Sequence, residues 1–503
     1  MQQPEADLLV QAAVAELAVG RVARADALLQ DAIRVDPRHP MALATQAEIA
    51  VSRKDHARAI ALADSALAIE PNCAPAWSQR SQASWLAGRR EDALEAARRA
   101  VDIQPPNPRF RLLLAQFAAW TGHGTEARQA LAPLLAAEQH DRENYAAAVS
   151  MMGELAIAEG RFGEADPYLV RALQILPGLE ATRMLRGMNQ LRLGRFREGW
   201  TNYAAREQVA FLYPDGRPVL PGQVWRGEAL AEKTLLVVDD QGHGDSIQFF
   251  RYLPLLRDLG AAHISWRTFP ALARLLADAA PYATVLAALP DEARFDFHCT
   301  STSLPSRFGA EPGNIPAAVP YLRPPARLKS AMKPAAGRGL KVGLAWSGDA
   351  RHMRDHLRSI PAADFLMLAD VRGISFHSLQ HEIRPSDLPA LEARPAIGRE
   401  VEKAMDFADT AALIAKLDLV ITVDTGIAHL AAALGRPVWI ILHVAPDWRW
   451  LTGRPDSPWY PSVRLFRVTP EEWLGDAPPR VTAGAWGPVL GRVAAALRTL
   501  AAR

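Results

Sequence analysis

The sequence predicts two architectures in one chain: an α-helical repeat array, then an α/β region with two parallel sheets. Three observations carry this. Pro37, Pro71 and Pro105 stand 34 residues apart in matching contexts, "DAIRVDP", "SALAIEP" and "RAVDIQP". Beyond residue 213, short apolar runs alternate with amphipathic ones, which is the pattern of βαβ units. The alternation stops at a Pro-rich stretch, "YLRPPARLKSAMKPAAGRG", and then begins again.

The bulk numbers set limits on function. Of 503 residues, 49% are apolar and 22% charged, as in ordinary globular proteins. A net charge of +2 argues against a general nucleic-acid binder. Cys73 and Cys299 are the only cysteines and lie far apart, so no disulfide framework is expected and a reducing, cytoplasmic location fits. "MQQPEADLLV" has neither the basic start nor the apolar core of a signal peptide. No apolar run reaches the length of a membrane span; "LDLVITVDTGIAHLAAALG" is interrupted by Asp418, Asp424 and His429.

A fourth copy of the proline motif, "RALQILP", ends at Pro177. A period of 34 residues is that of the tetratricopeptide repeat (TPR), two antiparallel helices per unit. Other residues keep the phase. Gly20, Gly88, Gly122, Gly160 and Gly194 fall where the paired helices turn. Ala25, Ala59, Ala93, Ala127 and Ala165, continued by Ala32, Ala66, Ala100 and Ala172, fall where the second helix must approach the first closely. About six helical hairpins are expected over residues 1–212. Such an array makes a curved stack with a groove, suited to a protein partner or serving as a spacer or dimerisation arm. The last unit, around "LRLGRFREGWTNY", is expected to pack on the half that follows.

The segment "FLYPDGRPVLPGQVWRGEALAEK" breaks the helical pattern and reads as a linker. Then come strand "KTLLVVDD", helix "DSIQFFRYLPLLRDLG" closed by Gly260, strand "AHISWRTF", helix "PALARLLADAA", and strands "TVLAAL" and "FDFHCT". After the Pro-rich interruption follow strands "GLKVGLAWSG" and "GISFHSLQ", helix "DTAALIAKL", strand "DLVITVD", helix "TGIAHLAAALG" and strand "RPVWIIL". Two parallel-sheet domains, 213–330 and 331–503, are the simplest reading. Ligands of such sheets sit beyond the carboxyl ends of the strands, which singles out the loops after Asp239, Trp346, Leu379, Asp424 and Leu442.

"LRLGRFREGWTNYAARE", "QGHGDSIQFFRYLPLL", "VGLAWSGDARHMRDHLRSIP", "VDTGIAHLAAALGRPVW" and "PDWRW…DSPWYPSVRLFR" resemble bacterial TPR proteins with a heptosyltransferase-like, glycosyltransferase family 9-like region. The chain also resembles the flagellin glycosyltransferases of alphaproteobacteria. The resemblance spans nearly the whole length. It implies a GT-B fold, two Rossmann-like domains facing across a cleft, the first for the acceptor and the second for the donor. It also implies metal-independent sugar transfer from a nucleotide-sugar co-substrate, with no cofactor. With the repeats, the implied acceptor is a protein Ser or Thr hydroxyl held by the TPR groove, with flagellin as the expected substrate. An inactive scaffold and a transferase for surface-polysaccharide precursors are the alternatives.

The resemblance assigns roles to particular residues. In heptosyltransferases a Gly-Asp pair after the first strand supplies a general base, here Gly244-Asp245. A carboxylate at a strand-to-helix turn can take the proton of an attacking hydroxyl. "DSIQ" also reads as a capping box, with Asp245 as N-cap and Gln248 reaching back. Gly242 and His243 complete the loop, His243 either touching a substrate or lying in solvent. On the donor side, the helix start at Asp424, Thr425 and Gly426 offers backbone N–H groups to a phosphate. His429 follows one turn later. Arg358, with Ser359 beside it, is the expected cation for the leaving phosphate, since charge accumulates there in the transition state. His352, Arg354 and Asp355 are its neighbours. Gln380 ends a strand where the nucleotide base commonly rests, and Trp448 and Trp450 are candidates for stacking or packing. No metal-ligand spacing is present in the sequence.

Overall fold

The computed structural model describes residues 2–138, 140–209, 219–328, 339–350, 352, 354–474 and 486–502. Its helical region runs through α1 (Gln2–Ala18), α2 (Val22–Val35), α3 (Pro40–Ser52), α4 (His56–Ile69), α5 (Ala74–Leu86), α6 (Arg90–Ile103), α7 (Pro108–Trp120), α8 (Gly124–Leu135), α9 (Arg142–Ala158), α10 (Phe162–Ile175), α11 (Glu180–Arg192) and α12 (Phe196–Tyr203). The phased alanines at 25, 59, 93, 127 and 165, and at 32, 66, 100 and 172, are all fully buried. The five turn glycines take φ between +76° and +83°, a region closed to most side chains. One turn lacks its glycine, and Lys54 is held there at φ +61°. The repeat slips once: α9 has 17 residues where α3, α5 and α7 have 13, so one extra helical turn sets the later glycines and alanines four residues back.

Contacts divide the chain after Thr182. Most of α11 and all of α12 therefore belong with the α/β region. The reason is visible at Trp200, whose Nε1 donates to Ala310 O at 2.7 Å and whose ring meets Trp448 edge-on at 5.2 Å. Close packing within this last hairpin uses glycine again: a Cβ at Gly187 would stand 2.3 Å from Tyr203 N. The expected boundaries at 212 and 330 lie outside the described residues.

The α/β region holds two five-stranded sheets. Strands β1 (Gln223–Val224), β2 (Thr234–Val238), β3 (His263–Arg267), β4 (Thr284–Leu286) and β5 (Phe297–Thr300) lie in the order β1-β5-β2-β3-β4. Strands β6 (Leu340–Ala345), β7 (Ile374–Ser378), β8 (Leu419–Val423), β9 (Val438–Leu442) and β10 (Val463–Arg467) lie in the order β10-β9-β8-β6-β7. Among the described residues every pairing within these sheets is parallel. The accompanying helices are α13 (His243–Phe249), α14 (Leu253–Asp258), α15 (Pro270–Ala279), α16 (Leu304–Arg307), α17 (Asp355–Arg358), α18 (Ala362–Phe365), α19 (Leu388–Glu392), α20 (Phe407–Ile414), α21 (Gly426–Ala433), α22 (Pro470–Leu474) and α23 (Gly487–Ala501).

Three local readings are corrected. The stretch read as a linker contributes an edge strand, β1. Strand β10 forms where no strand was expected. The single helix expected over "DSIQFFRYLPLLRDLG" is broken into α13 and α14 by a 3₁₀ turn at Phe250–Tyr252. Pro254 has no N–H for an α-helical bond and is accommodated in the first turn of α14.

Candidate active site

In each sheet the strand order reverses once. The reversals fall between β2 and β5 and between β6 and β8, and a crevice opens beyond the carboxyl ends of the strands at such points. The loops that leave β2, β6 and β8 carry Asp245, Arg358 and the Asp424–His429 stretch.

Asp245 lies in the first turn of α13. The helix is capped by Gly242, and Asp245 reaches back to accept the Gly242 N–H at 3.0 Å. The expected capping box is thus displaced: Asp245 is the third helical residue, not the N-cap. Gln248 does not reach back, because its buried Oε1 accepts from Arg449 Nε at 2.7 Å. The other Asp245 oxygen takes an ion pair from Arg449 Nη2. With its amide turned over, the orientation in which its neighbours satisfy it, Gln241 adds a link, its nitrogen donating to Asp245 at 3.3 Å and its oxygen accepting from Arg206 at 2.7 Å. Burial raises the Asp245 carboxyl above its usual range, with Asp447 and Asp240 adding to the rise and Arg449 and the Gly242 N–H opposing it.

Gly244 marks where the two sheet domains touch. A Cβ there would stand 2.7 Å from His429 Cδ2 and 3.6 Å from the Cα of Gly426. The missing side chain makes room for the start of α21. His243 is exposed beside this contact, its ring 4.8 Å from Phe269 of the first domain and 5.1 Å from Phe407 of the second.

Thr425 caps α21 and Gly426 is its first residue. His429 is buried, with Nδ1 2.9 Å from the Tyr460 hydroxyl and its ring 5.3 Å from Trp450. Burial, with Arg449 adding, pushes its pKa down to about 3, so the imidazole is neutral. The Asp424 carboxyl is pushed up to about 6 by burial and by the charge of Asp447. Arg358 closes the crevice from the β6 side: its Nη1 donates to Asp424 O at 3.1 Å, and its guanidinium lies over Gly348, where a Cβ would come within 2.7 Å. Among the described residues, Ser347 Oγ and Arg358 Nε of this segment are buried without a hydrogen bond to protein, although Arg358 Nε lies 3.7 Å from Asp355 Oδ1 in an ion pair. Buried groups of this kind are costly unless a ligand or water satisfies them.

Two expected donor residues are placed as braces. Ser359 Oγ donates to Asp355 Oδ1 at 2.7 Å and accepts from Gly348 N at 3.0 Å. Gln380 is saturated: Oε1 accepts from Trp346 N and Ser347 N, and Nε2 donates to Ser347 O and Glu382 O, each at 3.1 Å. Its amide holds the β6 loop and has no capacity left for a nucleotide base. Trp448 and Trp450 are buried at 1% and 0% exposure and pack rather than offer a face.

The residue missed by sequence reasoning is Arg449. Buried between the two tryptophans, it bonds Asp245, Gln248 and, at 2.7 Å, Asp447, with its guanidinium 4.3 Å above Trp448. It joins the Asp245 loop of the first domain to the loop that follows β9 in the second. The signal was present: "PDWRW" follows β9 in a loop already singled out, and an arginine between buried tryptophans needs anionic partners.

Residues 84–152 match the tetratricopeptide repeat profile, and residues 392–449 match that of glycosyltransferase family 9 (heptosyltransferase). The chain carries TPR repeats and a glycosyltransferase family 9 domain. The family 9 match contains Asp424–His429 and Arg449, while Asp245 and Arg358 lie outside it. Protein FlbA of Caulobacter vibrioides is 32% identical over 346 residues, 62% of this chain and 54% of that protein. The chain therefore spans about half the length of this curated relative. Among solved structures, TTC0263, a thermophilic TPR protein of Thermus thermophilus, is 22% identical at a TM-score of 0.32, covering 37% of this chain and 99% of its own. The Pseudomonas aeruginosa pilF structure is 18% identical at 0.33, covering 43% and 95%. Among the described residues, no helix is long and apolar enough to cross a membrane.

Proposed function

We propose that this chain is a GT-B glycosyltransferase that moves a sugar from a nucleotide-sugar to a Ser or Thr hydroxyl of a protein held by its repeats. The observation that carries the reading is the meeting of α13 and α21. It brings a carboxylate from the first sheet's crevice and a guanidinium from the second's to one junction, linked through Gly244 and Asp424–Gly426.

The roles follow from the chemistry. Asp245 accepts the proton of the acceptor hydroxyl. A carboxylate offers four lone-pair sites, so the bonds to Gly242, Gln241 and Arg449 leave capacity for it. A raised pKa strengthens it as a base while Arg449 keeps it ionised. Arg358 and the α21 N-terminus receive the diphosphate, and Ser347 Oγ, buried without a hydrogen bond to protein, is suited to its oxygens. Arg358 supplies the positive charge for the departing phosphate, which is the ground for proposing a metal-independent reaction. Neutral His429, fixed by Tyr460, orients the donor without adding charge. A repeat array supplies a groove for a protein acceptor, and flagellin is the acceptor favoured by the resemblance to flagellin glycosyltransferases.

The test is mass spectrometry of flagellin from cells with and without the protein. An unmodified mass in both sinks flagellin as acceptor. With a purified acceptor, Asp245→Asn is expected to lower turnover roughly a hundredfold with nucleotide-sugar binding unchanged. Near-normal turnover would reduce Asp245 to a helix cap and interdomain tie.

A further inference from the structure

On the opposite side of the second sheet from the crevice is a cavity of about 330 Å³. It is walled by the carboxyl end of α20, the carboxyl end of α21 and the segment around Leu322 that crosses between the two sheet domains. Leu417 leads from this wall into the start of β8, and Arg436 into the start of β9. The cavity therefore opens beyond the amino ends of the strands, where neither substrate of the proposed reaction would sit.

Its lining is apolar at the base and cationic at the rim. Leu322 and Leu434 are buried, and Ala412 is fully so. Arg323, Lys416 and Arg436 stand around them, and among the described residues no acidic side chain lines the cavity. Arg436 is engaged, donating to Ala415 O. The last carbonyls of α20 are also met, Ala411 by Ala415 N and Leu413 by Lys416 N. The helix end thus makes no call on Lys416 or Arg323, and among the described residues neither has an acidic partner. Two cations over an apolar floor, without a counter-charge, are an arrangement that an anion with an apolar body completes. The volume is at the small end of the range for such ligands, about 300–1,000 Å³.

We infer that this cavity binds a small amphiphilic anion, an aryl or short alkyl group bearing a phosphate, sulfonate or carboxylate, apart from the nucleotide-sugar crevice. The occupant's apolar part would rest on Leu322 and Leu434, and its charge between Arg323 and Lys416. It would touch the far end of α21, whose first residues form the crevice, and the crossing segment fixed by Leu322 N donating to Ala433 O at 3.3 Å.

Phenyl phosphate, titrated calorimetrically into the full chain, is the probe. Saturable binding at one site is expected, at least tenfold tighter than inorganic phosphate, which cannot use the apolar floor. The double variant Arg323→Glu with Lys416→Glu should weaken phenyl phosphate at least tenfold. Arg358→Ala, in the crevice, should leave it unchanged. A circular dichroism melt matching the parent chain establishes that the double variant is folded; if it is not, Arg323→Ser and Lys416→Ser singly carry the same comparison. Absence of binding, equal affinity for inorganic phosphate, indifference to the rim substitutions, or loss on Arg358→Ala would each overturn the site. The last outcome would leave the crevice reading intact.

Discussion

The repeats and the α/β region use the same charged residues in different ways. In the repeats, Arg98 forks onto Glu126 at 2.7 and 2.9 Å, with 36% and 26% of the side chains exposed. In the α/β region, Arg449 is buried and joins residues 201 and 204 positions away in sequence, Gln248 and Asp245. The repeats are held by a local rule, small residues in phase at helix crossings, and their ion pairs lie on top of that rule. The α/β region brings charges inside to join two sheets at a crevice, and its stability depends on their mutual satisfaction. Charge placed in a core marks where a chain has something to do other than fold.

The largest expected contrast is between these two arginines. Arg449→Met strands Asp245 and Asp447 beside a buried apolar group and should cost about 3–5 kcal/mol. Arg98→Met should cost about 1 kcal/mol or less, because its pair is solvated. Denaturant melts of both variants measure the difference, and equal losses would erase the distinction.

Acid should separate the two regions next. His429 and His443 are both pushed down to about 3 by burial. Their folded pKa lies below the free value of about 6.5, so the unfolded chain binds these protons first. Their contribution is whole above pH 6.5 and drains as pH falls toward 3, about 2–3 kcal/mol for each by pH 4.5. Asp424, pushed up to about 6, works in the opposite sense and returns about 2 kcal/mol over the same interval, joined by Asp245 and Asp239, which burial also raises, while Asp447, held low against its burial by Arg449, acts with the histidines. A net loss in the α/β region is expected. Only Trp77, Trp85 and Trp120 of the 13 tryptophans lie in the repeats. Near-ultraviolet circular dichroism should therefore fade at higher pH than the far-ultraviolet helical signal, and coincident transitions would contradict the assignment.

Smaller effects probe the repeat rule itself. Ala93→Leu adds a branched side chain at a fully buried crossing and should destabilise by about 1–3 kcal/mol. Lys54→Gly relieves the one turn where a side chain sits at φ +61° and should stabilise by about 1 kcal/mol. A neutral result at Lys54 would mean that the repeat tolerates the left-handed turn without its glycine.

The sequence by itself determined the repeats, because a 34-residue phase is local information: each proline, glycine and alanine serves its own turn or crossing. Most strands were legible for the same reason, as apolar runs between turns. The strands missed show the limit. β1 is two residues long, and it pairs with β5, 74 positions away. At the site, the strand ends and the α21 start were readable from "VDTGIAH", and Asp245 from its loop. Tertiary structure alone decided what those residues touch. Gly244 is glycine because His429 arrives from the other domain, Gln380 is a brace because the β6 loop folds over it, and Arg449 matters because folding brings it to Asp245. Those contacts join distant parts of the chain, and no local period records them.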